Sequence, residues 1–465
     1  MKTDYDLLVI GAGPAGYVGG IRAAQLGMKA AVIESGKAGG VCLNIGCIPS
    51  KAIIHQAELF RSLPDLQALG VTADVSGFSY EKVFTASRKA AERLSKGVEY
   101  LLKKNKVELI KGRAHVEGSG RIRLQGDKEL TAKNVLIATG SSPRRLRGFD
   151  FDEERLLSSQ GALMLRELPA SICIIGGGAI GVEFAHIMNA FGVEVHLVEM
   201  MDRLLPEMDA EAVGVLASSF KKRGIRTYLS TRALSWEKNG AKESGGLSVL
   251  LSGPGGELKL EAEKLLVVTG RVPNTTDLGL EQAGVNLEGG FINVGDHYQT
   301  AVPGIFAAGD VLATPMLAHA ASREAEIAVE FMAGNSPPPR LDPGGIPAAV
   351  YCEPQVAGFG YGEEQAKEAG LKFKKAVFPY RGVGKAVAVQ SVEGLVKILS
   401  DRDSGEIVGA WVAGSEATEL IHELLLARSS ELLPADLVAA VHAHPTFSEA
   451  VSEAARILEG GAIHI

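Results

Sequence analysis

YDLLVIGAGPAGYVGGIRAAQLGMKAAVIE, Tyr5 to Glu34, decides the fold, because it returns in outline as SICIIGGGAIGVEFAHIMNAFGVEVHLVE, Ser171 to Glu199. Each copy is an apolar strand that breaks into GxGxxG, an amphipathic helix closed by a glycine (Gly27, Gly192), and a second strand ending in Glu. The interval from Gly11 to Glu34 equals that from Gly176 to Glu199. One GxGxxG is weak evidence; two in matched strand-helix-strand units, each with an acid about 20 residues on, point strongly to two dinucleotide sites. Gly11, Gly13 and Gly16, and again Gly176, Gly178 and Gly181, let backbone approach a pyrophosphate at a helix N-terminus, where free N–H groups and the dipole favour anions. Glu34 and Glu199 would each accept hydrogen bonds from a ribose. A carboxylate at Glu199 bonds a ribose 2'-hydroxyl and repels a 2'-phosphate. With Arg203 the only nearby cation, this favours NAD over NADP.

Directly behind the first unit stands GGVCLNIGCIPSK, Gly39 to Lys51, with four residues between Cys42 and Cys47. Two thiols beside a dinucleotide site can store two electrons as a disulfide that forms and breaks by thiolate attack. A buried structural pair is the plainer alternative, since free cysteine is common in cores. Zinc fits worse: Cys173 and Cys352 are singletons with no second ligand at short spacing, and no metal is expected. Pro49 restricts the chain just after Cys47, which puts that sulfur near a helix start, where the dipole lowers a thiol pKa from about 8.5.

The chain has 465 residues, 46% hydrophobic and 22% charged, with net charge -7. Such a composition suits a globular chain of about three domains, and without a long basic run it argues against nucleic acid or an anionic membrane as the main partner. The uncharged stretch Leu7 to Ile21 follows Asp4 and Asp6 and is interrupted by glycines, unlike a signal-peptide core. No apolar run reaches the roughly 18 residues of a spanning helix. Four cysteines in this length fit a reducing compartment, and a cytoplasmic location is expected. Turn-rich stretches at Asn134–Arg145, Val267–Asn274 and Asn335–Pro347 divide the chain into 1–145, 146–270, 271–340 and 341–465. The last part alternates apolar and polar residues around Lys385–Ser391 and Gly394–Leu399, then shows helical periodicity at Glu416–Arg428 and Pro434–His442. The expected fold class is α/β, with two Rossmann-like dinucleotide-binding domains, the first in two parts, and a C-terminal α+β domain.

GAGPAGY, GGVCLNIGCIPSK, IATGSSP, GGGAIGVE, TAVPGIFAAGDV, PMLAH and HAHPTFSEA together carry a resemblance, essentially end to end, to the flavin-dependent pyridine nucleotide-disulfide oxidoreductases, class I, and within them to the branch that oxidises dihydrolipoamide. The resemblance implies FAD on the first unit and NAD on the second. It makes Cys42 the interchange thiol and Cys47 the sulfur against the flavin. Lys51 and Glu183 match an ion pair near the flavin ring, Glu183 also belonging to the NAD-side helix. Asp310 matches a ribityl contact, Met316, Leu317, Ala318 and His319 a segment touching the flavin, and Thr139, Gly140, Ser141 and, more loosely, Ala114 further FAD contacts. Gly270 falls where the family's chain passes the nicotinamide. His444 and Glu449 match an acid/base pair in which the carboxylate fixes one tautomer of an imidazole that titrates near neutrality. His442 is the competitor, read as a helix-end histidine. The resemblance also implies a homodimer joined through the C-terminal domain, with its histidine entering the partner's site, and a lipoyl-bearing subunit of a 2-oxoacid dehydrogenase or glycine cleavage complex as partner.

Two departures stand out: Cys352 lies where the family more often has Thr, and PYRGVGKAVAVQ lacks the usual Asn-Ser-Arg-Ala wording. The alternative activity is an NAD(P)H-dependent reductase of another disulfide such as glutathione, which Glu199 disfavours. Mercuric-ion reduction lacks a cysteine pair after His444. A non-catalytic docking flavoprotein would not need Cys42, Cys47, His444 and Glu449 all intact.

Overall fold

In the computed structural model, which describes residues 3–239 and 246–464, both glycine units form as their patterns require. Strand Tyr5–Ile10 lies parallel to Ala30–Glu34, with Leu7 opposite Ala30 and Ile10 opposite Ile33. Leu7, Leu8 and Val9 are buried in succession, as expected of a strand covered on both faces. Helix Pro14–Gln25 begins with a proline in its first turn, where the missing N–H is harmless and φ is already helical. It packs on the sheet so closely that a Cβ at Gly20 would sit 2.7 Å from Val32 Cγ2. The sheet runs Glu108–Lys111, Ala30–Glu34, Tyr5–Ile10, Glu129–Ile137, Arg121–Leu124, Ala114–Gly118, and Ile305–Ala307 also joins Glu129–Ile137, in parallel. A segment from beyond residue 300 thus completes the first sheet, and helix Ala318–Met332 packs on Pro14–Gln25.

The second unit is a five-stranded parallel sheet in the order Arg226–Tyr228, Glu194–Val198, Ser171–Ile175, Lys264–Val267, Leu156–Leu157. An antiparallel three-stranded sheet, Arg232–Lys238, Leu247–Gly253 and Gly256–Ala262, is attached to it. The two turn-rich crossings meet: Ser141–Pro143 pairs antiparallel with Arg271–Pro273, Val272 opposite Ser142.

The C-terminal sheet is antiparallel, in the order Ala348–Val350, Gln355–Gly360, Ile407–Gly414, Leu395–Asp401, Phe373–Pro379, with helices Ala417–Ser429, Pro434–Ala439 and Glu449–Leu458. Two expectations need correction. The alternating run Lys385–Ser391 is no strand: Gly384–Ala388 is a short helix, Gln390 has φ +57°, and Val387 and Val389 are exposed, so the alternation has no sheet to face. Leu395–Ser400 does not alternate but is buried throughout, because it is covered on both faces. Leu395, Trp411 and Ala413 share one core with Ile53, Ile54 and Ala57 and with Val182 and Leu216 of the second unit. That shared core fixes the C-terminal sheet against the cysteine helix.

Lys397, 1% exposed, reinforces this junction, with Asp209, Glu211 and Glu363 oxygens at 2.8, 2.9 and 3.1 Å. A buried cation is tolerable only when so paired. No helix among the described residues is long and apolar enough to cross a membrane.

Candidate active site

Each glycine of the two turns has its own duty. Gly11 (φ +101°) would place a Cβ 2.3 Å from the Ala138 carbonyl oxygen, and Gly16 one 1.8 Å from the Gly11 oxygen; Gly176 (φ +114°) and Gly181 meet Val268 and Gly176 oxygens at 2.5 and 1.8 Å. The first and third glycines are therefore demanded by packing. Gly13 and Gly178 would meet nothing within 4 Å, so no protein contact requires them to be glycine, and a ligand's close approach would. Neither helix has a side chain capping its N-terminus, which leaves first-turn N–H groups available to a pyrophosphate. This cradle fits two dinucleotides, with Glu34 and Glu199 beside them. Glu34 already accepts Ala12 N at 2.7 Å and Gly36 N at 2.6 Å; Glu199 accepts Gly177 N at 2.6 Å and Met201 N at 2.8 Å. Arg203 is committed elsewhere, to Glu364 at 2.7 Å and the Pro206 carbonyl at 3.2 Å.

The cysteine loop rests on the first turn: a Cβ at Gly40 would lie 2.7 Å from Gly13 Cα. Cys42 lies in helix Gly40–Ile45 and Cys47 opens helix Cys47–Arg61. Between them Gly46 passes so near Val41 that a Cβ would sit 2.9 Å from its oxygen; this close reversal brings the sulfurs together. Asn44 Nδ2 donates to Ala38 O and Gly40 O, and Arg88 donates to Asn44 O at 2.8 Å, so the loop is held at both ends. The Cys42 thiol donates to the Cys47 sulfur, which draws the Cys47 pKa down against the opposing effect of burial, with the Lys51 cation helping; the same bond and burial push the Cys42 thiol up. Negative charge therefore settles on Cys47, and the proton stays on Cys42.

Lys51, one turn after Cys47, bonds both oxygens of Glu183 at 2.9 and 3.0 Å and stands 4.4 Å from the Tyr351 ring centroid. Glu183 is buried and also accepts Tyr351 N at 3.2 Å, so its carboxylate is engaged with the cysteine helix. Burial opposes the Lys51 cation, but Glu183 outweighs it and holds its pKa above the ordinary value.

Ser141 donates to Asp310 Oδ2 at 2.5 Å, and Arg271 donates to the Ser141 hydroxyl at 2.7 Å and its carbonyl at 2.6 Å. Arg271 lies 3.9 Å from Asp310 and within electrostatic reach of Cys47. Thr139 and Gly140 are tied to Asn274 through Thr139 Oγ1 (2.7 Å) and Gly140 O (2.9 Å). Glu324, buried, accepts the N–H of Gly309, next to Asp310, at 2.7 Å, and burial pushes its carboxyl up to about 7. Sequence reasoning missed Arg271, Asn274 and Glu324. The first two lay in VVTGRVPN, read only as a boundary; Glu324 was visible as a charge on the alanine-rich, buried face of its helix.

Met316 and Leu317 precede that helix and Ala318 and His319 open it, His319 Nε2 bonding the Pro347 carbonyl at 2.8 Å. Ala114 is buried at the start of its strand. Gly270 (φ +121°) accepts the Arg144 N–H at 3.0 Å. His444 Nδ1 is 2.9 Å from Glu449 Oε1, and the other oxygen accepts Thr446 N at 2.9 Å. Partial burial opposes the Glu449 anion, but these partners hold its carboxyl below the ordinary range. The carboxylate thus keeps a proton on Nδ1 and leaves Nε2 as the base. The His444 side chain is 74% exposed and bonds Glu449, not a cysteine of its own chain. His442 pairs with Glu423 at 2.7 Å. The structure therefore gathers Cys42, Cys47, Lys51, Glu183, Ser141 and Asp310 around one place and sets His444 and Glu449 on the surface of the C-terminal part.

Residues 5–325 match the profile of the pyridine nucleotide-disulphide oxidoreductases, and residues 346–455 that of the dimerisation domain of the same proteins. The chain belongs to the pyridine nucleotide-disulphide oxidoreductases. It has this family's two nucleotide-binding domains and dimerisation domain, and is an oxidoreductase with FAD and NAD as cofactors. It is 40% identical over 477 residues to a dihydrolipoyl dehydrogenase of Bacillus subtilis, spanning 100% of both chains. It is also 40% identical over 468 residues to that of Thermus scotoductus, spanning 100% of this chain and 99% of the other. Among solved structures, LpdA from Mycobacterium tuberculosis superposes with a TM-score of 0.89 at 30% identity over 97% of this oxidoreductase and 99% of that chain. The HOCl-induced flavoprotein disulfide reductase RclA from Escherichia coli, at 24% identity and a TM-score of 0.86 over 98% of this chain and 100% of that one, shares the fold.

Proposed function

We propose that this oxidoreductase is a dihydrolipoyl dehydrogenase, oxidising protein-bound dihydrolipoamide with NAD. The full-length likeness to dihydrolipoyl dehydrogenases supports the substrate. The observation that carries the mechanism is the placement of Lys51 one turn after Cys47 on the same helix, held by both oxygens of Glu183 at 2.9 and 3.0 Å, an arrangement that favours the thiolate at Cys47 over Cys42.

From the oxidised pair, one thiolate of the substrate attacks the Cys42 sulfur. The Cys42–Cys47 bond breaks, and Cys47 leaves as the thiolate that Lys51 stabilises. The second substrate thiolate then attacks the substrate sulfur of the mixed disulfide, closing the lipoyl ring and expelling Cys42. The substrate is oxidised by two electrons and the cysteine pair reduced by two. Nε2 of His444, oriented by Glu449, takes the proton of the first substrate thiol, passes it to Cys42 as that sulfur is expelled, and takes the proton of the second thiol in its place. Bound FAD supplies the relay that carries the electron pair from the reduced cysteines to NAD. Ser141, Asp310, Thr139 and the Gly11–Gly16 turn are assigned to holding it, and the Gly176–Gly181 turn, Glu199 and Gly270 to holding NAD.

Exposure of His444 supports a homodimer in which His444 of the partner subunit serves Cys42, and a lipoyl-bearing complex subunit is the macromolecular partner. The division into FAD-binding (1–145 and 271–340), NAD-binding (146–270) and interface (341–465) parts follows the sheets, and the cysteine usage suits the cytoplasm. An anaerobic titration of the purified protein with dihydrolipoamide, followed by NAD or NADP, tests the reading. Reduction of the protein and formation of NADH alone uphold it. No response to dihydrolipoamide, with reduction by NADPH, would replace it by a reductase of another disulfide.

A further inference from the structure

Glu449 and Glu453 stand one turn apart on helix Glu449–Leu458, and each is bonded to a histidine. The mechanism uses only the first pair. The side chain of Glu453 is 9% exposed. One of its oxygens accepts the N–H groups of Ile463 at 2.8 Å and His464 at 3.1 Å; the other lies 3.2 Å from His464 Nδ1 and 3.6 Å from Arg456 Nε. Residues 463 and 464 are thereby folded back onto the helix that carries Glu449. A single turn runs beside both residues: a Cβ at Gly382 would lie 3.0 Å from the His464 carbonyl oxygen, and one at Gly384 3.4 Å from His444 Cε1. Arg381 and Lys385 are the charged residues of that turn.

A buried anion one helical turn from Glu449 makes the potential at His444 more negative unless it is compensated. Compensation comes from two backbone amides, the His464 ring and Arg456. Burial opposes the Glu453 anion, but the His464 and Ile463 donors outweigh it and hold the carboxyl below its ordinary range, and His464 also acts electrostatically on Glu449.

We propose that Glu453 and the segment Ile463–His464 form a positioning clamp that sets the negative charge felt by the His444–Glu449 pair, and with it the pH range in which His444 accepts the dithiol proton. The clamp rests on the acid/base role given to His444 above. Its signature is one of sign. Glu453→Gln removes the anion, so the acid limb of kcat/KM for dihydrolipoamide moves to lower pH, by about half a unit. His464→Ala leaves the anion less compensated, so the limb moves to higher pH by about as much. His464 is 67% exposed at its side chain, and its removal opens no core.

Both variants are measured as full-length holoenzymes, with flavin content and thermal midpoint alongside. Mere structural damage lowers kcat at every pH and does not displace the limb in opposite directions. Displacements of the same sign, or none, overturn the clamp. The pH dependence of iodoacetamide alkylation of the reduced protein gives the same comparison without a dithiol substrate. If dihydrolipoamide is not turned over, the proposed function fails, and opposite displacements in alkylation still uphold the clamp while equal ones overturn it.

Discussion

Glu34 and Glu199 hold the same two backbone amides in the two halves of the chain. Each carboxylate accepts the N–H of the residue just after its turn's first glycine, Ala12 or Gly177, and the N–H two residues beyond itself, Gly36 or Met201. The internal repeat thus extends from spacing to individual hydrogen bonds. In both halves the acid is oriented by its own backbone before any ribose arrives, so ordering it costs a ligand little.

Glu199→Gln is expected to raise KM for NAD about 10- to 100-fold, the value of a hydrogen bond to a charged group, with FAD content unchanged. NADP should gain little in this variant, because Arg203 is tied to Glu364 and the Pro206 carbonyl. Adding Glu364→Gln frees the guanidinium for a 2'-phosphate. Steady-state kinetics with both nucleotides check this, and efficient NADP use by the single variant would show that Arg203 is not restrained.

Lys51→Met removes the cation that favours the Cys47 thiolate. The sign is fixed: without that cation the thiol pKa rises, so the thiolate forms only at higher pH and is lost sooner as pH falls. Thiolate absorbance of the reduced protein, titrated with pH, should shift upward relative to wild type. Cys47→Ser should lose dihydrolipoamide oxidation altogether and retain FAD; unchanged turnover would refute the relay.

His444→Gln is expected to lower turnover by roughly 100-fold or more. Glu449→Gln should cost less, since it disturbs the tautomer and leaves the base in place. His442→Gln should stay near wild type, because that ring is engaged with Glu423. Near-normal rates in His444→Gln with a loss in His442→Gln would exchange the two assignments.

What could be read from sequence was set by how far apart in the chain the interacting residues lie. Gly11, Gly16 and Glu34 belong to one strand-turn-helix unit, so their spacing reports their geometry, and the same holds for Cys42 and Cys47. His444 was singled out only through its resemblance to a known motif, since one histidine among ten carries no spacing signal. Arg271 was passed over because Ser141, its bonded partner, lies 130 residues away. The run Lys385–Ser391 misled because alternation marks a strand only where a neighbouring strand offers unpaired backbone; there Val387 and Val389 face solvent.

Lys397 is the sharpest case of such distant pairing, and it carries the last prediction. Its carboxylates come from Asp209 and Glu211, at the start of helix Ala210–Lys222, and from Glu363, joining the NAD-side unit to the C-terminal sheet. Lys397→Met leaves three carboxylates crowded without their buried cation, and breaking such a network costs about 3–5 kcal/mol. Denaturant melts of the holoenzyme near neutral pH should show that loss. Glu363 gives the pH dependence: bonds from Lys367 and Lys375 first, then Lys397, outweigh burial and hold its carboxyl at about 2, against an ordinary 4.5. Because its folded pKa is depressed, its contribution is fully present above pH 4.5 and fades as pH falls toward 2. Wild type and Lys397→Met should therefore draw closer in stability through that window by the share of the Glu363 contribution that Lys397 supplies, Lys367 and Lys375 keeping the rest in both proteins, whereas a constant gap down to pH 2 would mean that Lys397 does not act through Glu363.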